Sequence, residues 1–207
     1  MGKPFLTDEA KRALTEAVRE VEASTSAELM VAVRSRSGSY LHADLIAGIV
    51  VGLAALTFLL FSHWPFGLLW FVIDPVVAGL LGGLAASRFP GLRRVLTRPG
   101  ARRRLAETAA RCLFLEKRVH GTTGRTGFLL YVSVLEREAV VVTDLGLEAL
   151  AATGSWQRAI GAIEAGVRQG EDGVRIAERV RALADICGPA LPRAADDVDE
   201  LANEVCE

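Results

Sequence analysis

Apolar positions along the chain recur at three different spacings, and each spacing predicts a different element. From Thr7, the segment TDEAKRALTEAVREVEAS places Ala10, Leu14, Ala17, Val18 and Val21 at helical intervals behind an N-cap threonine and early acids, which predicts an amphipathic helix. The next segment, AELMVAV from Ala27 to Val33, is short, apolar and bounded by polar residues, the form of a buried strand with SRSGSY as its exit. Two much longer apolar runs follow: LIAGIVVGLAALTFLLF over 45–61 and, after SHWP, a stretch from Phe66 to Ala86 with one charged residue, Asp74. Each approaches the roughly 20 residues that a helix rising 1.5 Å per residue needs to cross a bilayer core, where lipid leaves the backbone almost no other spanning option. Together they predict a transmembrane helical hairpin.

Beyond the hairpin the spacing shortens again. Pro99-Gly100 punctuates the chain, and Arg102 to Val119 predicts a helix whose apolar side includes Leu105, Ala109, Cys112 and Leu113. FLLYVSV (128–134) and AVVVT (139–143), joined by LERE, pair most simply as an antiparallel hairpin. A turn at Asp144 to Gly146 leads into a short helix. Ser155 then caps a helix carrying Trp156, Ile160, Ile163 and Val167 on one face, ended by Gly170. Asp172 begins the last helix, with Ile176, Val180, Leu183 and Cys187 inward and Gly188-Pro189 as the stop.

The strand at 27–33 has no partner on its own side of the apolar runs, so it is expected to join the pair at 127–143, with 128–134 as the central strand. The predicted fold is therefore α/β: a small mixed sheet flanked by helices and interrupted by a two-helix transmembrane hairpin. Residues 1–40 supply the first helix and strand, 41–87 the hairpin, 88–190 the remainder of the domain and 191–207 an acidic tail.

Charge orients this arrangement. Arg88, Arg93, Arg94, Arg98, Arg102, Arg103 and Arg104 follow the second run with no acid among them, Arg34 and Arg36 precede the first, and the Ser62–Pro65 connector has no Lys or Arg. Cationic residues near a span are retained on the cytoplasmic side, so both termini are expected in the cytoplasm of a bacterial inner membrane. A signal peptide does not fit, because the first run begins more than 40 residues in and a second follows at once. The last twelve residues hold six acids and no Lys or Arg, a composition that predicts a solvated tail. Cys112, Cys187 and Cys206 are too scattered for a zinc site, and the first two are expected to pack as small apolar groups.

Candidate chemistry is sparse. GTTGRTG (121–127) has the composition of a phosphate loop, but it stands between a helix and a strand rather than between a strand and a helix, and it lacks the Walker lysine. It is expected to be a flexible connector in which Arg125 is a candidate anion contact. Asp144 directly follows a buried strand, where α/β sheets display functional side chains, but an Asx-type turn or helix cap before Leu145-Gly146 is the favoured explanation. Gly48 and Gly52 form GxxxG, as do Gly79 and Gly83, spacings that let the two helices of the hairpin pack closely. Asp74 is either an intramembrane acid or, with Pro75, the start of the second helix at the outer interface, with FGLLWFVI lying along that interface. The arginine cluster is a candidate lipid-facing surface for anionic headgroups.

Three segments, TSAELMVAV, TGFLLYVSVLEREAVVVTDLGLE and WQRAIGAIEAGVRQGEDGVRIAERV with Trp156, Gly170 and Gly173, resemble the TPM-domain family, in particular bacterial members with a membrane hairpin inserted in the domain. The resemblance implies either an accessory factor in membrane-protein maintenance or an acid phosphatase binding calcium or magnesium through acidic residues. Where the family often has an acidic Asp-Asn-Gly turn, this chain has Gly124-Arg125-Thr126-Gly127, which leaves Glu28 and Asp144 as the candidate acidic site. The favoured expectation is an interaction or maintenance factor without a cofactor, with membrane lipids and another membrane protein as partners and no nucleic acid. The alternatives are a weak divalent-metal-dependent acid phosphatase and an anionic-lipid-binding module.

Overall fold

A computed structural model describes residues 5–193, 200–201 and 205–206. Helix α1 (Asp8–Ser24) starts where Thr7 Oγ1 accepts the Ala10 amide at 3.1 Å, and it turns Leu14, Val18 and Val21 inward. Strand β1 (Glu28–Arg34) follows. Next come α2 (Leu41–Phe61), α3 (Trp70–Arg88), α4 (Pro90–Leu96) and α5 (Pro99–Glu116), then a 3₁₀ turn at Val119–Gly121, β2 (Gly127–Ser133) and β3 (Glu138–Thr143). A second 3₁₀ turn at Leu145–Leu147 leads to α6 (Glu148–Ala151), α7 (Gly154–Gln169), α8 (Gly173–Arg181) and α9 (Ala184–Ala190).

Residues 1–37 and 103–207 form one compact unit, and 38–102 form another. In the first, the sheet order is β1-β2-β3: β1 and β2 run parallel with Glu28 opposite Gly127 and Arg34 opposite Ser133, and β3 is antiparallel to β2. A parallel pair needs a long crossover, and here the crossover contains the whole second unit. Apolar side chains line both faces of β1 and β2. Leu29, Val31, Phe128 and Leu130 pack with α1, α7 and α8, whereas Met30, Ala32, Leu129 and Tyr131 pack with Ala106, Ala110 and Leu113 of α5. Phe128 meets Trp156 edge-on at 5.3 Å, a geometry that adds roughly 0.5–1.5 kcal/mol to the burial itself.

Several local expectations are corrected. Thr153, not Ser155, caps α7, its hydroxyl accepting the Trp156 amide at 3.3 Å. The last helix is two helices, broken at Ala182-Leu183, and Pro189 lies inside α9 rather than stopping it. Cys112 is exposed, while Cys187 is buried in an apolar setting that pushes its thiol pKa up to about 11. Helix α3 begins at Trp70 and carries Asp74-Pro75 within it, so FGLLWFVI is not a separate interfacial segment.

The acidic end is also not wholly solvated. The Cys206 amide donates to Val31 O (3.0 Å) and the Val33 amide to Cys206 O (2.9 Å), which covers the outer edge of β1, and Val205 is 4% exposed. Asp196, Asp197, Asp199, Glu204 and Glu207 lie outside the described residues.

In the second unit, α2 and α3 are long and apolar enough to cross a membrane, with mean hydropathies of 2.4 and 1.6, and protein buries few of their residues. Their glycines face the opposite backbone: a Cβ on Gly48 would lie 2.7 Å from Gly79 O, and one on Gly52 would lie 2.8 Å from Pro75 O. Gly48→Leu is therefore expected to force the helices apart and lower the unfolding midpoint in detergent by several degrees. Gly91→Ala, which meets nothing within 4 Å, should leave the midpoint unchanged; equal midpoints for the two variants would refute the close packing. The unit extends past residue 87 because α4 folds back on α2, where Arg93 Nε and Nη2 reach Asp44 Oδ1 and Oδ2 at 2.9 and 2.6 Å.

Candidate functional site

The sheet brings two of the sequence candidates to one end. Glu28 opens β1, Gly127 opens β2 beside it, and Asp144 follows β3, so both acids stand at the amino end of the parallel pair. Each is almost fully buried, at 4% and 5% exposed. Two strand spacings separate them, placing their backbones roughly 10 Å apart.

Arg125 takes up Asp144. Its Nε and Nη2 donate to Asp144 Oδ2 and Oδ1 at 3.2 and 2.9 Å, and Oδ1 also accepts the Leu145 amide at 2.8 Å, capping the turn that follows. Arg125 holds a left-handed backbone (φ 52°), a conformation that costs a side-chain-bearing residue of order 1 kcal/mol and persists where surrounding contacts fix it. Those contacts are visible: Arg125 N donates to Thr122 O, Gly146 N to Arg125 O, Thr126 N to Thr122 Oγ1 and Thr126 Oγ1 to Ser26 O. The Gly-Thr-rich loop is thus a hydrogen-bonded structure, not a flexible connector.

A calcium or magnesium ion needs several oxygen ligands converging at 2.0–2.6 Å. Asp144 is engaged by a guanidinium that already supplies the positive charge, and Glu28 Oε2 accepts the Leu201 amide at 3.3 Å. Among the described residues, no group of three or more His, Cys, Asp or Glu side chains is placed to hold a metal. The residues present do not fit the divalent ion that the family resemblance implies.

The arginine cluster divides. Arg103 is drawn into the sheet unit, donating to Glu107 at 2.9 Å, Glu164 at 3.1 Å and Ala139 O at 3.1 Å, with Glu138 at 3.6 Å. Burial opposes its charge, but hydrogen bonds and the charges of Glu164 and Glu107 outweigh it and raise its pKa above the ordinary arginine value. Arg93 is committed to Asp44. Both are thus engaged by carboxylates, a commitment that the clustering in the sequence did not suggest. Arg88, Arg98 and Arg104 are exposed, and Arg94 and Arg102 are partly buried.

A site that the sequence did not reveal lies at the opposite end of the sheet. Glu136, in the β2–β3 turn, is 1% exposed. It accepts the Ser37 amide at 2.8 Å and the Ser133 hydroxyl in a short contact. Ser37 Oγ donates to Ser133 Oγ at 2.6 Å and lies 3.0 Å from the Tyr131 hydroxyl. Burial raises the Tyr131 pKa, with Glu136 adding to the shift while the Ser37 hydrogen bond and Arg34 oppose it. The only signal in the sequence is the density of hydroxyl and arginine residues in SRSGSY, at the carboxyl end of β1.

No protein-family model matches the chain, and no curated protein matches it. Among solved structures, the chain is similar to the NMR structure of the BA42 protein from the psychrophilic bacterium Bizionia argentinensis, with a TM-score of 0.59 and 17% identity over 100% of this chain and 97% of that one. At that identity the likeness concerns the fold alone.

Proposed function

We propose that this chain is a membrane-anchored, TPM-like α/β domain that acts as an accessory factor for other membrane proteins, with both termini in the cytoplasm of a bacterial inner membrane. The observation that carries this reading is the bidentate Arg125–Asp144 pair, which fills the amino end of the sheet with an internal cation where a metal-dependent phosphatase would need free carboxylates. The anchor is the pair of apolar helices, and the orientation follows from the exposed Arg88, Arg98 and Arg104 and from a 62–69 connector with no Lys or Arg.

The full chain in uncharged detergent is expected to hydrolyse p-nitrophenyl phosphate no faster with calcium or magnesium than with a chelator. Arg125→Ala should not create such a dependence, because two acids roughly two strands apart do not form a site. A metal-dependent rate that Asp144→Asn abolishes would replace the accessory reading with the phosphatase one. For orientation, a cysteine at Ser62 should react with an impermeant thiol reagent from outside, and reporter fusions at 40 and 190 should both report cytoplasm.

A further inference from the structure

The outer edge of β1 is covered by the chain's own end, and the cover is thin. Cys206 pairs with Ala32 as a single parallel bridge, held by the Cys206 amide on Val31 O at 3.0 Å and the Val33 amide on Cys206 O at 2.9 Å. The inner edge, by contrast, pairs with β2 along the whole strand, from Glu28 to Arg34. A second foothold lies at the amino end of β1, where the Leu201 amide reaches Glu28 Oε2 at 3.3 Å and the Glu200 carboxylate accepts the exposed Thr123 amide at 3.1 and 3.0 Å. With Leu201 beside Glu28 and Cys206 beside Ala32, tail and strand advance in the same direction. Val205 packs into the cluster formed with α1, α7 and α8, whereas Cys206 packs with the α5 cluster, so adjacent residues serve opposite faces of the sheet.

A strand edge is a template for any extended chain, and proteins that bind peptides in this way draw affinity from main-chain hydrogen bonds and selectivity from alternate side chains. The tail shows what this edge selects: an acid for the Thr123 amide, an apolar residue directly after it, and further along an apolar residue for the place that Val205 fills. We propose that β1 is a docking strand for an extended acidic and apolar segment of a partner protein, and that residues 200–206 are a releasable strap that holds the edge until such a segment displaces them. A hydrogen bond exchanged with water contributes little net free energy, so two main-chain bonds and an exposed carboxylate contact are few enough for exchange. A tethered strap acts at an effective concentration on the order of millimolar, which a free competitor must approach. Such a partner fits the accessory role proposed above, but the pairing does not depend on it.

Cys206 reports on the strap in the full chain. It is partly buried, Cys187 is buried and Cys112 is exposed, so maleimide alkylation followed by peptide-resolved mass spectrometry separates release of the strap from opening of the whole unit. The probe is a synthetic peptide of residues 198–207, VDELANEVCE, carrying Cys206→Ser so that it does not consume reagent. In uncharged detergent, millimolar probe is expected to speed labelling of Cys206 about fivefold or more while Cys112 and Cys187 keep their rates. Three control peptides should have no effect: one that also carries Val205→Asp, one with Cys206→Pro, which lacks the amide that Val31 O accepts, and a scrambled sequence. In the full chain, Glu200→Ala at an exposed position should speed Cys206 labelling about twofold, and Val205→Asp more strongly. Fluorescein-labelled probe, read by anisotropy, should bind the Val205→Asp chain about tenfold tighter than the parent, because the competing strap is gone. No acceleration by the probe, an equal effect of the scrambled peptide, or equal binding to the two chains overturns the proposal. Faster labelling of Cys187 in Val205→Asp overturns it too, by showing the tail to be a fixed part of the core. A Cys206 rate that changes with protein concentration gives the edge to a second copy instead of a partner. The assay reads the edge in detergent, so its failure is distinct from a failure of membrane orientation, which the reporter fusions measure.

Discussion

Gly127→Ala is expected to unfold the sheet unit or bring it close to unfolding. Gly127 opens the central strand, where it pairs with Glu28 on one side and its carbonyl accepts the Asp144 amide at 3.0 Å on the other. A Cβ at this position would run into the carbonyl of Val119, a fully buried residue of the 3₁₀ turn, so the obstacle is backbone and has no rotamer by which to yield. Overpacking of this kind costs about 3 kcal/mol or more, a large share of the 5–15 kcal/mol that holds an ordinary domain together. Gly124→Ala is the matched comparison. Its nearest neighbours are side-chain atoms of Thr126, the closest at 3.3 Å, and a change there should cost well under about 1 kcal/mol. Urea denaturation followed by circular dichroism separates the two, and a midpoint for Gly127→Ala equal to that of the parent would show that the turn at 119–121 moves freely.

Replacing residues 38–102 with a short Gly/Ser linker should convert the protein into a water-soluble domain that unfolds cooperatively. The two ends to be joined are already fixed on one element: the Ser37 amide bonds to Glu136, and Arg103 bonds to the carbonyl of Ala139, three residues further along. Because each doubling of a flexible loop costs only about 0.6 kcal/mol, the linker need not be tuned closely. The removed segment contains both long apolar helices and most of the exposed large apolar side chains, among them Leu45, Leu53, Phe58 and Leu80. If this protein stays unfolded while residues 103–206 fold cooperatively alone, β1 belongs to a partner and the parallel pairing is wrong.

Parts of this structure were legible in the sequence because they depend on near neighbours. Hydropathy alone marked both long helices, and helical spacing in TDEAKRALTEAVREVEAS marked the face of α1 that is buried. The pairing of β1 across the insertion followed from an apolar strand with no local partner, and the register of β1 on β2 fulfils it. What stayed hidden depends on which distant groups meet. Asp44 and Arg93 are 49 residues apart in sequence, and nothing near either one signals the pair that forms when α4 folds back. Glu136 stands in a turn, where acids are usually solvated; in the fold Ser37 and Ser133 converge on it and supply hydrogen bonds that offset its burial. Cys112 follows the apolar spacing of α5 but points to solvent. The acid-rich end disguised Val205 and Cys206, two residues whose backbone and side chain complete the edge of β1. At the amino end of the sheet the pairing of Arg125 with Asp144 was not legible, because it depends on the left-handed backbone that turns the loop.

The placement of the crossover also governs the order of events during synthesis. More than ninety residues separate Arg34 from Gly127, so β1 leaves the ribosome with its strand partner not yet made. At about 5–20 residues per second, that wait is on the order of 5–20 s, far longer than helix formation or local collapse. Throughout it, ELMVAV is an unpaired, apolar strand edge beside a nascent chain whose next segment is the first of the two long apolar helices. Any chaperone or insertion machinery that delays release of the first 37 residues would therefore act at the moment the sheet is most open to pairing with the wrong strand.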